Sequence, residues 1–283
     1  MQIIEVNAYA KINLLLDIVT RLGNGYHSLF MIMQTVDLHD DIRVEKLKGN
    51  AMEFLCSDAM LPQDGENIAY KAALAFFESN GIDDRGVKIS VIKRIPRAAG
   101  LAGGSADAAG VLAALSELYG TCLTKQQLCK IGIKLGADVP FCIHGGTALA
   151  QDIGGVLSEL PSLPECSIVL AKPLRGVDTK DAYGAYDEAE RIRHPDNCGM
   201  LHAVLEGDLK EIARRCENVF EQVIDVPERV GIKAVMRRHN ALSACMSGSG
   251  PTVFGIFEDM RDAKACCDEL SKLIPEVFLC RTV

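Results

Sequence analysis

The 283-residue sequence is informative first for what it lacks. No C-x-x-C pair occurs among its eleven cysteines, an odd number, so neither a disulfide framework nor a paired-cysteine metal site is expected. The opening "MQIIEVNAYAKINLL" has no charged n-region and no small-residue cleavage site. The expectation is therefore a protein of the reducing cytoplasm. Apolar runs are broken by charge or glycine well short of the roughly 20 residues a membrane span needs, so no membrane partner is expected. Net charge is −8 with basic residues dispersed, which argues against nucleic acid as a partner. Also missing are any Gly-Lys pair and any G-x-G-x-x-G, excluding the standard P-loop and the Rossmann fingerprint.

What is present is a chain 48% apolar, with mean hydropathy slightly above zero and mixed α and β patterning. "EVNAYAKINLLLDIV" alternates as a strand or strand pair, and "VKISVIKRIP" is a β-branched strand closed by Pro96. "ENIAYKAALAFFESNG" has helical spacing at Ile68, Ala72, Leu74, Phe76 and Phe77, with Gly81 as its stop. "TKQQLCKIGIKLG" opens on a capping box, Thr124 with Gln127, and is expected to run to Gly136 with Leu128, Ile131 and Leu135 on one face. After the turn-rich "SELPSLPEC" come the strand "SIVLA", three helical segments, the strands "LSACMSG" and "TVFGIFE", a helix over 259–273 and the strand "VFLCRTV". A domain boundary is placed here, giving segments 1–162 and 163–283. The cysteines read mainly as small core residues.

Three stretches carry chemistry. In "GLAGGSADAAG" all positions but Leu101, Ser105 and Asp107 are glycine or alanine, and the stretch runs directly into "VLAALSELYG". A helix N-terminus has unpaired N–H groups and a partial positive charge, so a small-residue loop entering it suits a phosphate. Ser105 is the expected N-cap. The alternative is that Gly103 and Gly104 only permit tight strand-to-helix packing. In "LGADVPF", Asp138 sits between a glycine and Pro140, either as a base or as an Asx-turn former. In "AYAKINL", Lys11 and Asn13 share one face of a strand among apolar neighbours, where a lysine needs a carboxylate or a phosphate.

"PRAAGLAGGSADAA" resembles the phosphate loop of the GHMP small-molecule kinases, and "CMSGSGPTVFGIF" resembles their glycine-rich third motif. The resemblance implies an α+β, two-domain fold. Its N-terminal domain would be like domain 2 of ribosomal protein S5, and its C-terminal domain ferredoxin-like. Within the family, "AYAKINLLLDIVTRLGNGYHSLFMIMQTVDLHD", "ENIAYKA" and "LGADVPFCIHGGTALAQDIGG" are most similar to a branch that phosphorylates a CDP-linked sugar alcohol.

The resemblance also implies ATP and Mg2+ as cofactors and a small-molecule acceptor. Pro96, Arg97, Ala98, Ala99, Gly100, Leu101, Ala102, Gly103, Gly104, Ser105 and Ala106 would form the ATP phosphate loop. Backbone amides of residues 105–107 would meet the phosphates. Asn67 and Lys93 would lie towards the adenosine, Asp138 would be the catalytic aspartate and Lys11 its partner. Asn13 would contact the acceptor, with Tyr26 and His27 enclosing its cytosine and Tyr183 forming the other face. Asp107 stands where some members carry asparagine; it reads as a first-turn carboxylate favoured by the helix dipole or as a direct ligand. No residue corresponds clearly to the family's metal-holding helix glutamate. Another kinase of the family, or a non-catalytic ligand-binding relative, would share the fold. The paired aromatics argue against the first, the intact Lys11, Asp138 and loop against the second.

Overall fold

Two long strands open the fold. The computed structural model describes residues 2–23 and 25–283, and in it β1 (Ile3–Arg21) and β2 (His27–Lys46) are neighbours. At about 3.3 Å per residue, strands of 19 and 20 residues exceed the width of one small domain. The chain accordingly divides into two compact units that share these strands. One comprises Met1–Ala10, Leu38–Ile95 and Ala102–His144, the other Lys11–Asp37, Pro96–Leu101 and Gly145–Val283. This interleaved division differs from the sequential one drawn at residue 162.

In the first unit, the C-terminal half of β2 pairs antiparallel with β4 (Val87–Ile92), which pairs parallel with β3 (Met52–Cys56). Between them lies α1 (Ile68–Asn80), capped by Asn67 and closed by Gly81 in the left-handed conformation at φ 62°. It buries Ala69, Ala72, Ala73, Phe76 and Phe77, so Ile68 and Leu74 sit at the margin of the buried face. Next come α2 (Gly103–Leu118), almost wholly buried, then α3 (Lys125–Gly132) and α4 (Val139–His144). The Thr124–Gln127 capping box forms as expected. The helix ends at Gly132 rather than Gly136, because residues 134 and 135 tighten into i→i+3 bonds to Ile131 and Gly132. A Cβ on Gly132 would lie 2.6 Å from Val139 Cγ1, so the close packing of α3 on α4 requires glycine there.

In the second unit, the N-terminal half of β2 pairs antiparallel with β5 (Thr147–Asp152), and β5 with β6 (Val156–Glu159). The remainder is β7 (Ser167–Lys172), α5 (Thr179–Glu188), α6 (Asn197–Glu206), α7 (Leu209–Arg215), β8 (Glu217–Asn218), α8 (Arg229–Arg238), β9 (Ser243–Met246), β10 (Val253–Phe257), α9 (Met260–Leu270) and β11 (Glu276–Arg281). Four α-helices, not three, therefore lie between β7 and β9. The four antiparallel strands run in the order β11-β7-β10-β9, the ferredoxin-like arrangement, with α5, α6 and α7 added before the first packing helix. Helices α8 and α9 cover the sheet through Ile232, Val235, Met236, Ala263, Cys266 and Leu270 against Val169, Val253 and Phe257.

None of the eleven cysteines is in a disulfide, and only Cys166, Cys245, Cys266 and Cys280 are buried, so the core reading holds for a minority. No helix among the described residues is long and apolar enough to cross a membrane.

Candidate active site

The glycine-rich stretch enters its helix earlier than its sequence suggests. Ala102 is the N-cap of α2, at φ 58°, with no side-chain cap, and Ser105 is the third helical residue rather than the cap. Its left-handed backbone turns the chain abruptly into the helix, and the Ala106 amide already donates to Ala102 O at 2.9 Å. The amides left without helical acceptors are therefore those of residues 103–105, not 105–107. Gly104 is exposed and Gly103 and Ser105 are half-buried, so this turn faces outward.

The glycines separate the packing reading from the ligand reading. Gly100, at φ 73°, could carry no side chain: its Cβ would lie 2.1 Å from Ser247 O. A Cβ on Gly103 would press on Ile95 Cγ2 at 3.0 Å. Gly104 meets only Ile68 Cγ2 at 3.3 Å, so the fold barely demands glycine at the exposed position where an anion would approach.

Upstream, Pro96, Ala99 and Leu101 are buried while Arg97 and Ala98 are exposed, Ala98 at φ 47°. Ser247, in the third glycine-rich motif, donates its hydroxyl to Gly100 O at 2.9 Å and accepts the Asn13 amide at 3.2 Å. Asn218 holds the same motif, donating to Met246 O and Gly248 O. Lys11 N–H donates to Leu101 O at 3.2 Å, and its buried Nζ donates to Asn13 Oδ1 at 2.6 Å. Asn13 is fully buried and also turns Nδ2 to Met31 Sδ, so both ends of its side-chain amide are engaged.

Asp138 is half-buried in the turn before α4, and its carbonyl accepts the Cys142 amide. The preceding residues approach α2: a Cβ on Gly136 would be 3.6 Å from Ser105 Oγ. Asn67 is committed to structure, since Oδ1 caps α1 through the Ala69 amide and Nδ2 donates to Pro62 O.

Lys93 Nζ donates to Asp40 Oδ2 at 2.5 Å and to Asp107 Oδ2 at 2.6 Å. Asp107 is the fifth residue of α2, beyond the first turn, and pairs with this lysine rather than with the helix dipole. Burial pushes its carboxyl up to about 8; the Lys93 charge opposes this and the Asp40 charge adds to it. Although burial works against it, the Lys93 ammonium is held above its ordinary value by Asp107 and Asp40. Asp40 was not legible as a site residue; its partner lies 53 positions away.

His27 and Tyr183 come together, but not as two walls of a slot. Their rings stack on each other at 4.9 Å and 18°. A base sandwiched between them would need ring planes about 7 Å apart, twice the stacking distance. His27 Nε2 bonds Asp187 Oδ1 at 2.7 Å, and Tyr183 meets Phe220 edge-on at 5.1 Å. Tyr26 is 63% exposed, and Asn24 lies outside the described residues. Asp187 and Phe220 are further members that the sequence did not flag.

Among the described residues no three or more His, Cys, Asp or Glu side chains group as a metal cage.

Two family models match, the GHMP kinase N-terminal domain over 67–146 and the GHMP kinase C-terminal domain over 200–276. The chain is 43% identical over 281 residues, 99% of its length and all of the relative's, to 4-diphosphocytidyl-2-C-methyl-D-erythritol kinase of Clostridium beijerinckii. It is 44% identical over 98% of its length, and 96% of the relative's, to the enzyme of that name from Caldicellulosiruptor saccharolyticus. A crystal structure of 4-(cytidine 5'-diphospho)-2C-methyl-D-erythritol kinase superposes with TM-score 0.83 at 32% identity, covering 99% of both chains. A homoserine kinase from Cytophaga hutchinsonii, at 20% identity, TM-score 0.80 and 99% and 94% coverage, shares the fold. The chain belongs to the GHMP kinases, within the family of 4-diphosphocytidyl-2-C-methyl-D-erythritol kinases.

Proposed function

We propose that the chain transfers the γ-phosphoryl group of ATP to the 2-hydroxyl of 4-diphosphocytidyl-2-C-methyl-D-erythritol (CDP-methylerythritol), a step of the non-mevalonate route to isoprenoid precursors. The observation that carries the reading is the uncapped, outward-facing first turn of α2, with glycine at its exposed position. Phosphoryl transfer asks little covalent chemistry of a protein; it needs the phosphate held in line with the hydroxyl and its charge met by dipoles and cations. Residues 96–106 form the phosphate loop in this reading, with the amides of residues 103–105 on the phosphates and Lys93 towards the adenosine. Asn67 contributes by fixing the start of α1.

Asp138 takes the proton of the acceptor hydroxyl, and Lys11, oriented by Asn13, favours the ionised carboxylate. When bound together with ATP, Mg2+ would supply positive charge against the phosphates, and no cluster of protein donors among the described residues is assigned to it. The cytosine lies against Tyr26 and the outer face of the His27–Tyr183 stack. Segments 1–162 and 163–283 are the nucleotide-binding and C-terminal domains in this reading, and the two matched family segments fall on either side of that boundary.

The test compares CDP-methylerythritol with methylerythritol lacking its nucleotide, with ADP release as readout. Turnover of the linked form, inhibited competitively by CMP, is expected. Equal turnover of both acceptors with no effect of CMP would leave a small-molecule kinase without a cytidine pocket.

A further inference from the structure

The cluster beneath α2 has an unusual charge count for its position. Lys93 Nζ lies 3.4 Å from where a Cβ on Gly103 would be, directly under the uncapped turn. Around this one cation stand two carboxylates, Asp40, completely buried, and Asp107, 4% exposed. With both ionised the cluster carries a net negative charge below the amides assigned to ATP phosphates. An anion site backed by uncompensated negative charge opposes its own ligand.

One extra proton resolves the conflict, and the hydrogen bonds say where it goes. Asp40 accepts the Arg94 amide at 2.5 Å and the Ile95 amide at 2.8 Å on Oδ1, and Lys93 on Oδ2. Protonating it would disrupt one of these. Asp107 accepts Lys93 on Oδ2 only, while its buried Oδ1 has no hydrogen-bond partner. Also facing the cluster are the Cys56 thiol on β3, which burial pushes up, and the Arg94 guanidinium, which feels the Asp40 charge but is itself paired with Asp41. Helices α1, α3 and α4 bury apolar residues, Ala72, Ile131 and Val139 among them, and bring no buried charged side chain.

We propose that nucleotide binding at residues 103–105 is coupled to uptake of up to one solvent proton by Asp107 Oδ1, leaving Lys93 neutralised by Asp40 alone. Asp107 is thus a positioning residue of the nucleotide site, and the inference rests on the ATP reading above. The raised value of the Asp107 carboxyl, about 8, puts the exchange in an accessible pH range. Asp107 lies four residues along α2 from Gly103, about 6 Å of helix axis, so its carboxylate and a bound phosphate are about 10 Å apart. At that separation and an effective dielectric near 20, one unit charge changes the equilibrium about tenfold.

Isothermal titration of ATP without acceptor, at pH 8 in two buffers of different ionisation enthalpy, counts the protons. Wild type should take up about 0.4 proton per nucleotide, and its affinity should fall five- to tenfold between pH 7 and 9.5. Asp107→Asn, which keeps the shape and removes the titration, should bind ATP with no uptake and little pH dependence. ATP binding by wild type without proton uptake, a result needing no variant, overturns the proposal; so does uptake persisting in Asp107→Asn. Absence of any ATP binding by wild type would instead overturn the nucleotide reading beneath it.

Discussion

The two ends of β2 carry polar constellations that differ in how far their own contacts already satisfy them. Towards its C-terminal end, Asp40 anchors Lys93 and Asp107 under a helix turn whose amides remain open. At its first residue, His27 is bonded to Asp187 and stacked on Tyr183, while Asp187 also pairs with Arg21 at 3.4 Å. The first arrangement leaves the amides of residues 103–105 without helical acceptors above a buried ion-paired cluster, so an anion can approach them without displacing a helical bond. The second has spent its aromatic faces and its carboxylate on itself. A base must use outer surfaces there or displace a stack, and stacking of this kind contributes about 1 kcal/mol. In the proposed reading the nucleotide turn needs only a proton on Asp107, whereas a base at the aromatic cluster must find an outer face or break a stack.

The largest effect should come from the chemical step, which belongs to neither region. Asp138→Asn should lower kcat by about 10² to 10⁴ while ATP and acceptor still bind, measured by steady-state kinetics beside calorimetry. Near-normal turnover in the purified variant would remove Asp138 as the base. Tyr183→Ala then probes the aromatic region. It should raise the acceptor KM about five- to a hundredfold with ATP little affected, since base stacking on an aromatic is worth about 1–3 kcal/mol. A smaller rise, or a fall, would show that the loss of the His27 stack opens the pocket by as much as it weakens it.

Gly104→Val sharpens the nucleotide side. With one 3.3 Å contact to a flexible isoleucine, the new side chain should leave the melting temperature within a few degrees of wild type. It should weaken ATP about tenfold by blocking the amides. Unchanged ATP affinity in calorimetry would restore the packing reading for this position.

The last effect expected is on stability. The folded value of Asp107, about 8, lies above its ordinary 3.8, so the folded chain keeps a proton that the unfolded chain releases across that interval. This contribution is fully present below the ordinary carboxylate range and lost as pH rises through about 8, at no more than about 1.4 kcal/mol per pH unit. Thermal unfolding of wild type should therefore drop a few degrees more than that of Asp107→Asn between pH 6 and 8.5. Parallel curves would contradict it.

Local signals were legible where a single element satisfied itself. The Thr124–Gln127 box and the Gly81 stop of α1 needed only their own helices. The strand β2 escaped notice because its middle, "MIMQTV", is buried on both faces and shows no alternation. Ser105 looked like a cap because small residues precede it; the left-handed Ala102, which starts the helix, leaves no mark in composition. Lys11 and Asn13 were readable as a same-face pair two residues apart. Asp40, Asp187 and Ser247 were not, since each meets its partner across more than 50 positions of sequence and only the fold brings them together.

The proposed function assigns the chain one reaction, on a cytidine-linked acceptor. ADP release measured side by side with CDP-methylerythritol, phosphomevalonate and homoserine tests it most directly. Turnover with the first and none above background with the other two is the expected result; comparable or faster ADP release with either of the others would contradict it.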